Sequence, residues 1–321
     1  MIDTNFNIHV IDCDYIRKRA ACAYLIQEGS EAAFVENNTT KAVPLLLKKL
    51  QEVGLQKEQV KYLIVTHVHL DHAGGTSALV KQCPNAQVLA HPKAAPHIIN
   101  PKRLVDSASE VYGKEAFQEM YGEISPVPQE RVRVMQDGEV LSWGKRKLTF
   151  VYTKGHANHH FVIYDSHSQG IFSGDSFGLG YPALQMGSFP FLFPSTSPTD
   201  FDPDEAMITF DKVAKMQPKS IFLTHFGEWT KVSLGISQLR DGISAMQRIL
   251  ETAVSSQLSD DNLIGICLQG VNEFMKREVD KRDIELSEDD WKMIKMDIRL
   301  NAMGIAHTAK KIRKKKNLQP V

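Results

Sequence analysis

Thr66-His67-Val68-His69-Leu70-Asp71-His72-Ala73-Gly74-Gly75 places three imidazoles and a carboxylate within six positions, directly after the apolar run Tyr62–Val65. That run is short and β-prone, so it reads as a strand that delivers these side chains to a loop at its end. Imidazoles and carboxylates need little or no deprotonation to bind zinc, iron or manganese at neutral pH. Alternation along an extended loop sends His67 and His69 to one side. Asp71 and His72 follow a turn and can address a neighbouring position. Four such donors suit two metals a few ångströms apart better than one. A single histidine is more often a hydrogen-bonded structural residue, so it is the grouping that argues for ligation.

The pattern recurs further along. His156 follows Phe150–Tyr152, Asp175 follows Ile171–Ser173, and His225 follows Ile221–Leu223. Sites gather at strand ends because loops there vary without disturbing the sheet. Of the 12 histidines, His67, His69, His72, His156, His159, His160 and His225 fall in these small clusters.

Around them the chain alternates. Ile8–Ile11, Ala23–Ile26 and Ala32–Val35 read as strands, and Lys41–Val53 as a helix stopped by Gly54. Thr76–Lys81 starts a helix and Gln87–Ala90 is the next strand. Residues 91–130 read as helical and loop-rich. Strands resume at Arg131–Met135, Lys147–Tyr152, Phe161–Tyr164 and Gly170–Ser173, followed by a helix over Phe201–Met216 and a strand over Ser220–Leu223. Beyond Glu228 the β signal largely stops. Leu239, Ile243, Met246 and Leu250, then Trp291, Ile294, Ile298, Ala302 and Ile305, recur at helical spacing. Residues 1–228 therefore form one mixed domain and 229–321 a helical extension. It ends in the basic stretch Lys310-Lys311-Ile312-Arg313-Lys314-Lys315-Lys316, which reads as a solvated, frayed helix end in preference to a nucleic-acid or lipid contact.

Composition narrows the field. In 321 residues, 38 Lys+Arg balance 38 Asp+Glu, which argues against a chain built to grip nucleic acid or an acidic membrane. Residues 1–228 carry 22 basic against 25 acidic side chains and 229–321 carry 16 against 13, too even for a dedicated polyanion surface. No stretch approaches the apolar length of a membrane span. The first residues lack the basic start and apolar core of a signal peptide, so a cytosolic location is expected. Cys13, Cys22, Cys83 and Cys267 are scattered without a CxxC pair, so buried free thiols are expected rather than a disulfide framework.

The motifs, taken in order, resemble those of the metallo-β-lactamase superfamily of dinuclear metallohydrolases: Thr66–Gly75, Gly155-His156, Ser173-Gly174-Asp175-Ser176 and Thr224-His225-Phe226-Gly227. The resemblance covers about 1–228. It implies an α/β fold, a four-layer αβ/βα sandwich with an all-helical C-terminal extension and the metals at one edge. It also implies two divalent ions, zinc foremost with iron or manganese as alternatives. His67, His69 and His156 would hold the first, Asp71, His72 and His225 the second, and Asp175 would bridge them. Two metals sharing a water lower its pKa toward neutrality, which supplies a hydroxide nucleophile, and Asp71 can orient it or move its proton. Lys154-Gly155-His156-Ala157-Asn158-His159-His160 departs from the proline-bearing pattern of many relatives. His160 keeps the position of a second histidine and is expected behind the ligands, and His159 is expected in the loop.

The resemblance also discriminates among chemistries. Asp175 argues against a true β-lactamase and for the glyoxalase II, ribonuclease Z, lactonase and phosphodiesterase branches. His69 stands where the oxygen-reducing branch has glutamate, and the full second ligand set argues against a mononuclear oxygenase. The helical extension resembles that of glyoxalase II and of thioesterase-like proteins. The expected function is hydrolysis of a small ester-like molecule: thioester, lactone, carboxylic ester or phosphodiester. A metal- or ligand-binding regulatory protein on the same scaffold is the rival reading. Residues 176–203 are rich in Gly, Pro and aromatics. Phe177, Tyr181, Phe189, Phe191 and Phe193 are either a substrate wall or packing for the helical extension or a second subunit. A small-molecule substrate and a homodimer are the partners expected, with no nucleic acid.

Overall fold

The computed structural model describes residues 3–4 and 6–317; residues 1, 2, 5 and 318–321 lie outside the described part. The chain divides into two compact units that alternate along the sequence: Met1–Tyr152, His159–Gly174 and Pro218–Thr230 in one, Thr153–Asn158, Asp175–Gln217 and Lys231–Val321 in the other.

The first unit holds two mixed sheets. One runs in chain order through β1 (Asp3–Thr4), β2 (Ile8–Asp12), β3 (Cys22–Glu28), β4 (Glu31–Val35), β5 (Val60–Ile64), β6 (Gln87–Ala90) and β7 (Val132–Val134). Its first pairings are antiparallel, and β4 to β7 pair in parallel. The other comprises β8 (Val140–Trp143), β9 (Arg146–Thr153), β10 (His160–Asp165), β11 (Gly170–Gly174), β12 (Ser220–Leu223) and β13 (Gly227–Trp229), in the order β13-β12-β11-β10-β9-β8. β11 and β12 are buried along their whole length, as expected of strands covered on both faces.

Two apolar layers hold this unit together. Tyr24, Ile26, Ile64, Phe150, Phe161, Phe172 and Phe222 join the facing sides of the sheets. On the other side of the first sheet, Leu25, Phe34 and Leu63 pack against Leu46 and Leu50 of the helix Val43–Glu52 and Leu79 of the helix Thr76–Gln82. A buried ion network closes one end. Arg146 reaches Asp165 at 2.5 Å and Glu28 at 3.1 Å, and donates to the carbonyl of Phe6.

Register places the loops that matter. Val35 of β4 lies opposite Ile64 of β5, so Glu36 and the segment beginning at Val65 leave the sheet together. Across the sandwich, Phe161 N–H donates to Thr66 O at 3.0 Å, and Cys22 N–H to Thr224 O at 2.8 Å. The strand-end residues 66–72 and 224–225 are therefore tied to the sheets by backbone bonds.

The second unit is helical: Pro203–Lys215, Val232–Ser255, Leu263–Asp280 and Glu288–Asn317. Asp202 caps the first of these, accepting from the N–H groups of Asp204 and Glu205 at 3.1 Å each. Ser287 and Asp290 form a reciprocal cap on the last, each backbone N–H reaching the other's side chain at 3.1 Å. That helix is not frayed across 310–316, contrary to expectation. It stays regular to Asn317, because Arg313 donates to the carbonyls of Ala253, Val254, Ser256 and Leu258, closing the C-terminal turn of Val232–Ser255. Basic groups in a last helical turn also complement the carbonyl end of the helix.

All four cysteines are free and buried. Burial pushes the Cys22 and Cys83 thiols up to about 12 and Cys267 to about 11. Such thiols are inert packing groups. Among the described residues no helix is long and apolar enough to cross a membrane.

Candidate metal centre

The segment after β5 does not continue as strand. His69 is extended (φ −62°, ψ 146°) and the chain then turns into a single helical turn, Leu70–Ala73. The chain bends at Thr66–His67 and is extended at His69, where His67 and His69 meet, and the turn that follows carries Asp71 and His72 toward His225. In the first unit, Asp71, His72 and His225 bring one ligand atom each within 4.8 Å of the others. Asp71 Oδ2 stands 3.4 Å from His225 Nε2 and 3.7 Å from His72 Nε2. His67 Nε2 and His69 Nδ1 lie 2.8 Å apart.

The opposite nitrogens of these rings are committed. His225 Nδ1 lies 2.8 Å from the carbonyl of Ala20. A carbonyl only accepts, so Nδ1 carries the proton and Nε2 presents a lone pair toward Asp71. Glu36 does the same for two rings at once. Its Oε1 is 3.2 Å from His72 Nδ1 and accepts from the hydroxyl of Thr66, whose oxygen is 3.0 Å from His67 Nδ1. A buried carboxylate that holds a ring's far N–H fixes the tautomer and aims the near nitrogen outward, which is how metal-ligating histidines are oriented. The donor set fits a divalent metal: borderline-hard imidazole and carboxylate groups, with lone pairs turned inward.

Glu36 was not among the residues that sequence spacing singled out. It is buried, 1% exposed, with a left-handed φ of 63°. Nothing in Glu36-Asn37-Asn38 marks it in advance, since its role depends on β4 pairing with β5. His160, the first residue of β10, is wholly buried, and its ring centroid lies 4.7 Å from that of His67. His159 is the last loop residue before it, 5.5 Å from the His69 ring.

His156 and Asp175 belong to the second unit and meet there. His156 Nε2 is 3.6 Å from Asp175 Oδ2, and Ser195 Oγ lies 3.3 Å from both Asp175 Oδ2 and His156 Nδ1. Each follows a glycine in the left-handed region. Gly155 (φ 99°) leaves no room for a Cβ, which would lie 2.5 Å from the Ala206 backbone. At Gly174 (φ 49°) a Cβ would lie 2.4 Å from Thr66 Oγ1 and 2.5 Å from His160 Nε2. Close packing and backbone conformation both demand glycine there.

The aromatic segment 176–203 lies in the interior of its own unit. Phe177, Tyr181, Phe191 and Phe193 are at most 4% exposed. Phe177 packs on Phe210, and Phe191 and Phe193 on Phe274. Phe189 alone is open, 37% exposed, with the Arg282 guanidinium 4.9 Å from its ring. Phe191 and Phe193 thus pack on the helical extension, and Phe177 on the helix Pro203–Lys215.

A family model described as the metallo-beta-lactamase superfamily matches residues 23–225. The chain is 27% identical over 175 residues to the metallo-beta-lactamase fold-containing protein ST1585 of Sulfurisphaera tokodaii, covering 53% of this chain and 62% of that one. It is 24% identical over 131 residues to a hydroxyacylglutathione hydrolase of Aeromonas salmonicida, covering 41% and 37%. A nitric oxide reductase of Moorella thermoacetica is 29% identical over 131 residues, covering 40% and 26%. The matches thus span less than two thirds of each relative. The crystal structure of archaeal ST1585 from Sulfolobus tokodaii superposes with a TM-score of 0.65 at 17% identity, over 94% of this chain and 99% of that one. The two share a fold.

Proposed function

This chain belongs to the metallo-β-lactamase superfamily, and we propose that it is a dinuclear metal-dependent hydrolase of small ester-like molecules: thioesters, lactones, carboxylic esters or phosphodiesters. The observation that carries this reading is the convergence of Asp71, His72 and His225, with the far nitrogens of both rings held by Glu36 and the Ala20 carbonyl. A site of purely structural histidines has no need for near nitrogens aimed at one carboxylate.

By the family's motif order, His67, His69 and His156 would hold one divalent ion and Asp71, His72 and His225 the other, with Asp175 shared. Bound there, two divalent cations lower the pKa of a water and polarise a carbonyl or phosphoryl oxygen. The chain's own residues do the rest. Asp71, 24% exposed at its side chain, orients the attacking water and accepts its proton. Glu36 keeps the His67 and His72 tautomers fixed, so no proton has to relocate before ligation. His69 supports the hydrolytic branch, because an imidazole stands where the oxygen-reducing branch carries glutamate.

Elemental analysis of protein purified without chelator or metal-binding tag, followed by an ester, lactone and phosphodiester panel, tests the proposal. About two metals per chain and turnover of at least one ester class are expected. Asp71→Asn should lower kcat/KM by about 10³-fold or more. Near wild-type turnover in Asp71→Asn, or a metal-free protein after reconstitution, overturns it.

A further inference from the structure

Residues 12–20 form the loop between β2 and β3, and its end supports the candidate site: the Ala20 carbonyl is the partner of His225 Nδ1. Three non-glycine residues of this short loop sit at left-handed φ: Asp14 at 53°, Ile16 at 61° and Arg19 at 61°. For a β-branched residue such as Ile16 this is an outlier conformation, which persists only where its surroundings hold it. The surroundings do hold it. Both carboxylate oxygens of Asp12 accept from the Arg19 N–H, at 3.0 and 2.9 Å, and one also accepts from Asp14 N–H at 3.1 Å. On the other flank Tyr15 packs in the cluster of Leu70, Phe117 and Tyr121, one residue from Asp71.

What this frame displays is charge. The loop reads Arg17-Lys18-Arg19. The Arg19 guanidinium lies 5.6 Å from the ring centroid of Phe226, the residue after His225. Among the described residues, Arg19 and Lys18 form no ion pair with a carboxylate, and both are exposed. Asp12, the nearest acid in sequence with a defined role, spends its oxygens on backbone N–H groups. A strained loop is thus fixed by a carboxylate and tied at its end to His225 Nδ1, and it holds a guanidinium over the ring that follows His225 in the chain, with its five donors uncommitted to protein acids.

We propose that Arg19, with Lys18 adding to the local positive field, is a specificity-determining anchor for substrates carrying an oxyanion, carboxylate or phosphate, on the part of the molecule away from the scissile bond. The proposal rests on the hydrolase reading and narrows it to anionic esters or thioesters. Guanidinium binds carboxylate and phosphate through paired N–H···O contacts. Its seat over Phe226 limits the rotamer freedom lost on binding.

The test compares mono-4-nitrophenyl glutarate, which carries a carboxylate, with neutral 4-nitrophenyl butyrate, on the metal-loaded full chain. Wild type should prefer the glutarate by tenfold or more in kcat/KM. Arg19→Gln should reduce that preference at least tenfold, through KM, and Arg19→Lys, which keeps the charge but loses the paired N–H contacts, should keep only part of it. The same ratio in wild type and Arg19→Gln overturns the proposal, as does a wild type without preference. If neither ester is turned over, calorimetry decides the anion site by itself, and the hydrolase reading fails only where the whole ester, lactone and phosphodiester panel is inert as well. Glutarate and inorganic phosphate then serve as ligands, and whichever binds wild type identifies the preferred oxyanion. Binding at least tenfold weaker in Arg19→Gln than in wild type supports the anchor; equal binding, or none in either protein, overturns it.

Discussion

Two stretches drew notice in the sequence for their side chains: Thr66–Gly75 for its histidines and residues 176–203 for their aromatics. They resolve in opposite ways. In the first, the buried rings of His67 and His72 are engaged on one side by Thr66 and Glu36, leaving the other nitrogen of His67 facing His69 and that of His72 facing Asp71. In the second, the rings bury themselves, and amide side chains from the helices make that burial tolerable, while the Ser195 hydroxyl reaches His156 and Asp175. The Gln238 amide bonds Leu192 N–H at 3.1 Å and the Pro190 carbonyl at 2.8 Å. Asn301 does the same for Thr196 N–H at 2.7 Å and the Pro194 carbonyl at 2.9 Å. A loop can be buried only if its backbone finds such partners. Polar groups are costly to bury, so a cluster of them points to chemistry. Burying an aromatic is favourable, so a cluster of them is first evidence of a core.

The sharpest way to break this contrast is to exchange the effects. His225→Ala should abolish turnover, by about 10³-fold or more, while shifting the melting temperature by only a few degrees. Phe193→Ala should unfold easily, losing about 3–5 kcal/mol, with kcat per folded molecule little changed. A paired measurement of urea unfolding and turnover decides it, and a stable Phe193→Ala with lost activity would reverse the assignment of the aromatic segment.

Arg146 sharpens the contrast from another side, as a buried polar residue with a structural task. Its guanidinium is wholly buried between Asp165 and Glu28, so Arg146→Ala strands two acids and should cost about 3–5 kcal/mol in chemical denaturation. Next in size is Gly174→Ala, which forces a Cβ against Thr66 and His160 at a left-handed φ. A loss of about 2–4 kcal/mol is expected, accompanied by weaker metal retention because Thr66 positions His67.

The smallest effect concerns a histidine outside the cluster. His91 is buried beside the Tyr152 ring, 4.2 Å between centroids, and its Nδ1 accepts from Lys93 N–H at 3.0 Å. Burial, then the Lys93 charge, lowers its pKa from the usual 6.5 to about 4. The unfolded chain binds the proton more readily, so this site leaves stability untouched above pH 6.5 and erodes it as pH falls toward 4. At pH 5 the loss is about 2 kcal/mol at most. Urea unfolding at pH 7 and pH 5 should show a smaller difference in His91→Gln than in wild type.

Much was legible from sequence. The strands over 8–11, 87–90, 170–173 and 220–223 follow from short β-prone runs, and the helix expected over Phe201–Met216 runs from Pro203 to Lys215. β8 and β13, four and three residues long, are too short to stand out. The division into units was not legible either, since 153–158 and 175–217 join the helical unit through packing rather than through any shift in composition.

The chemistry at the strand ends is written in the sequence: four donor-type residues after β5 and single ones after later strands, spaced so that the bend and turn after β5 aim them differently. Local geometry suffices for that. The fold decided which nitrogen of His72 and of His225 faces the site, because Glu36 and Ala20 reach them across the fold in contacts that no local pattern records, and Glu36 also takes the Thr66 hydroxyl that sits on His67. It also decided that the aromatic segment is interior. Ring burial is favourable wherever a groove and satisfying amides exist, and Gln238, Asn301 and Phe274 supply them from helices far along the chain.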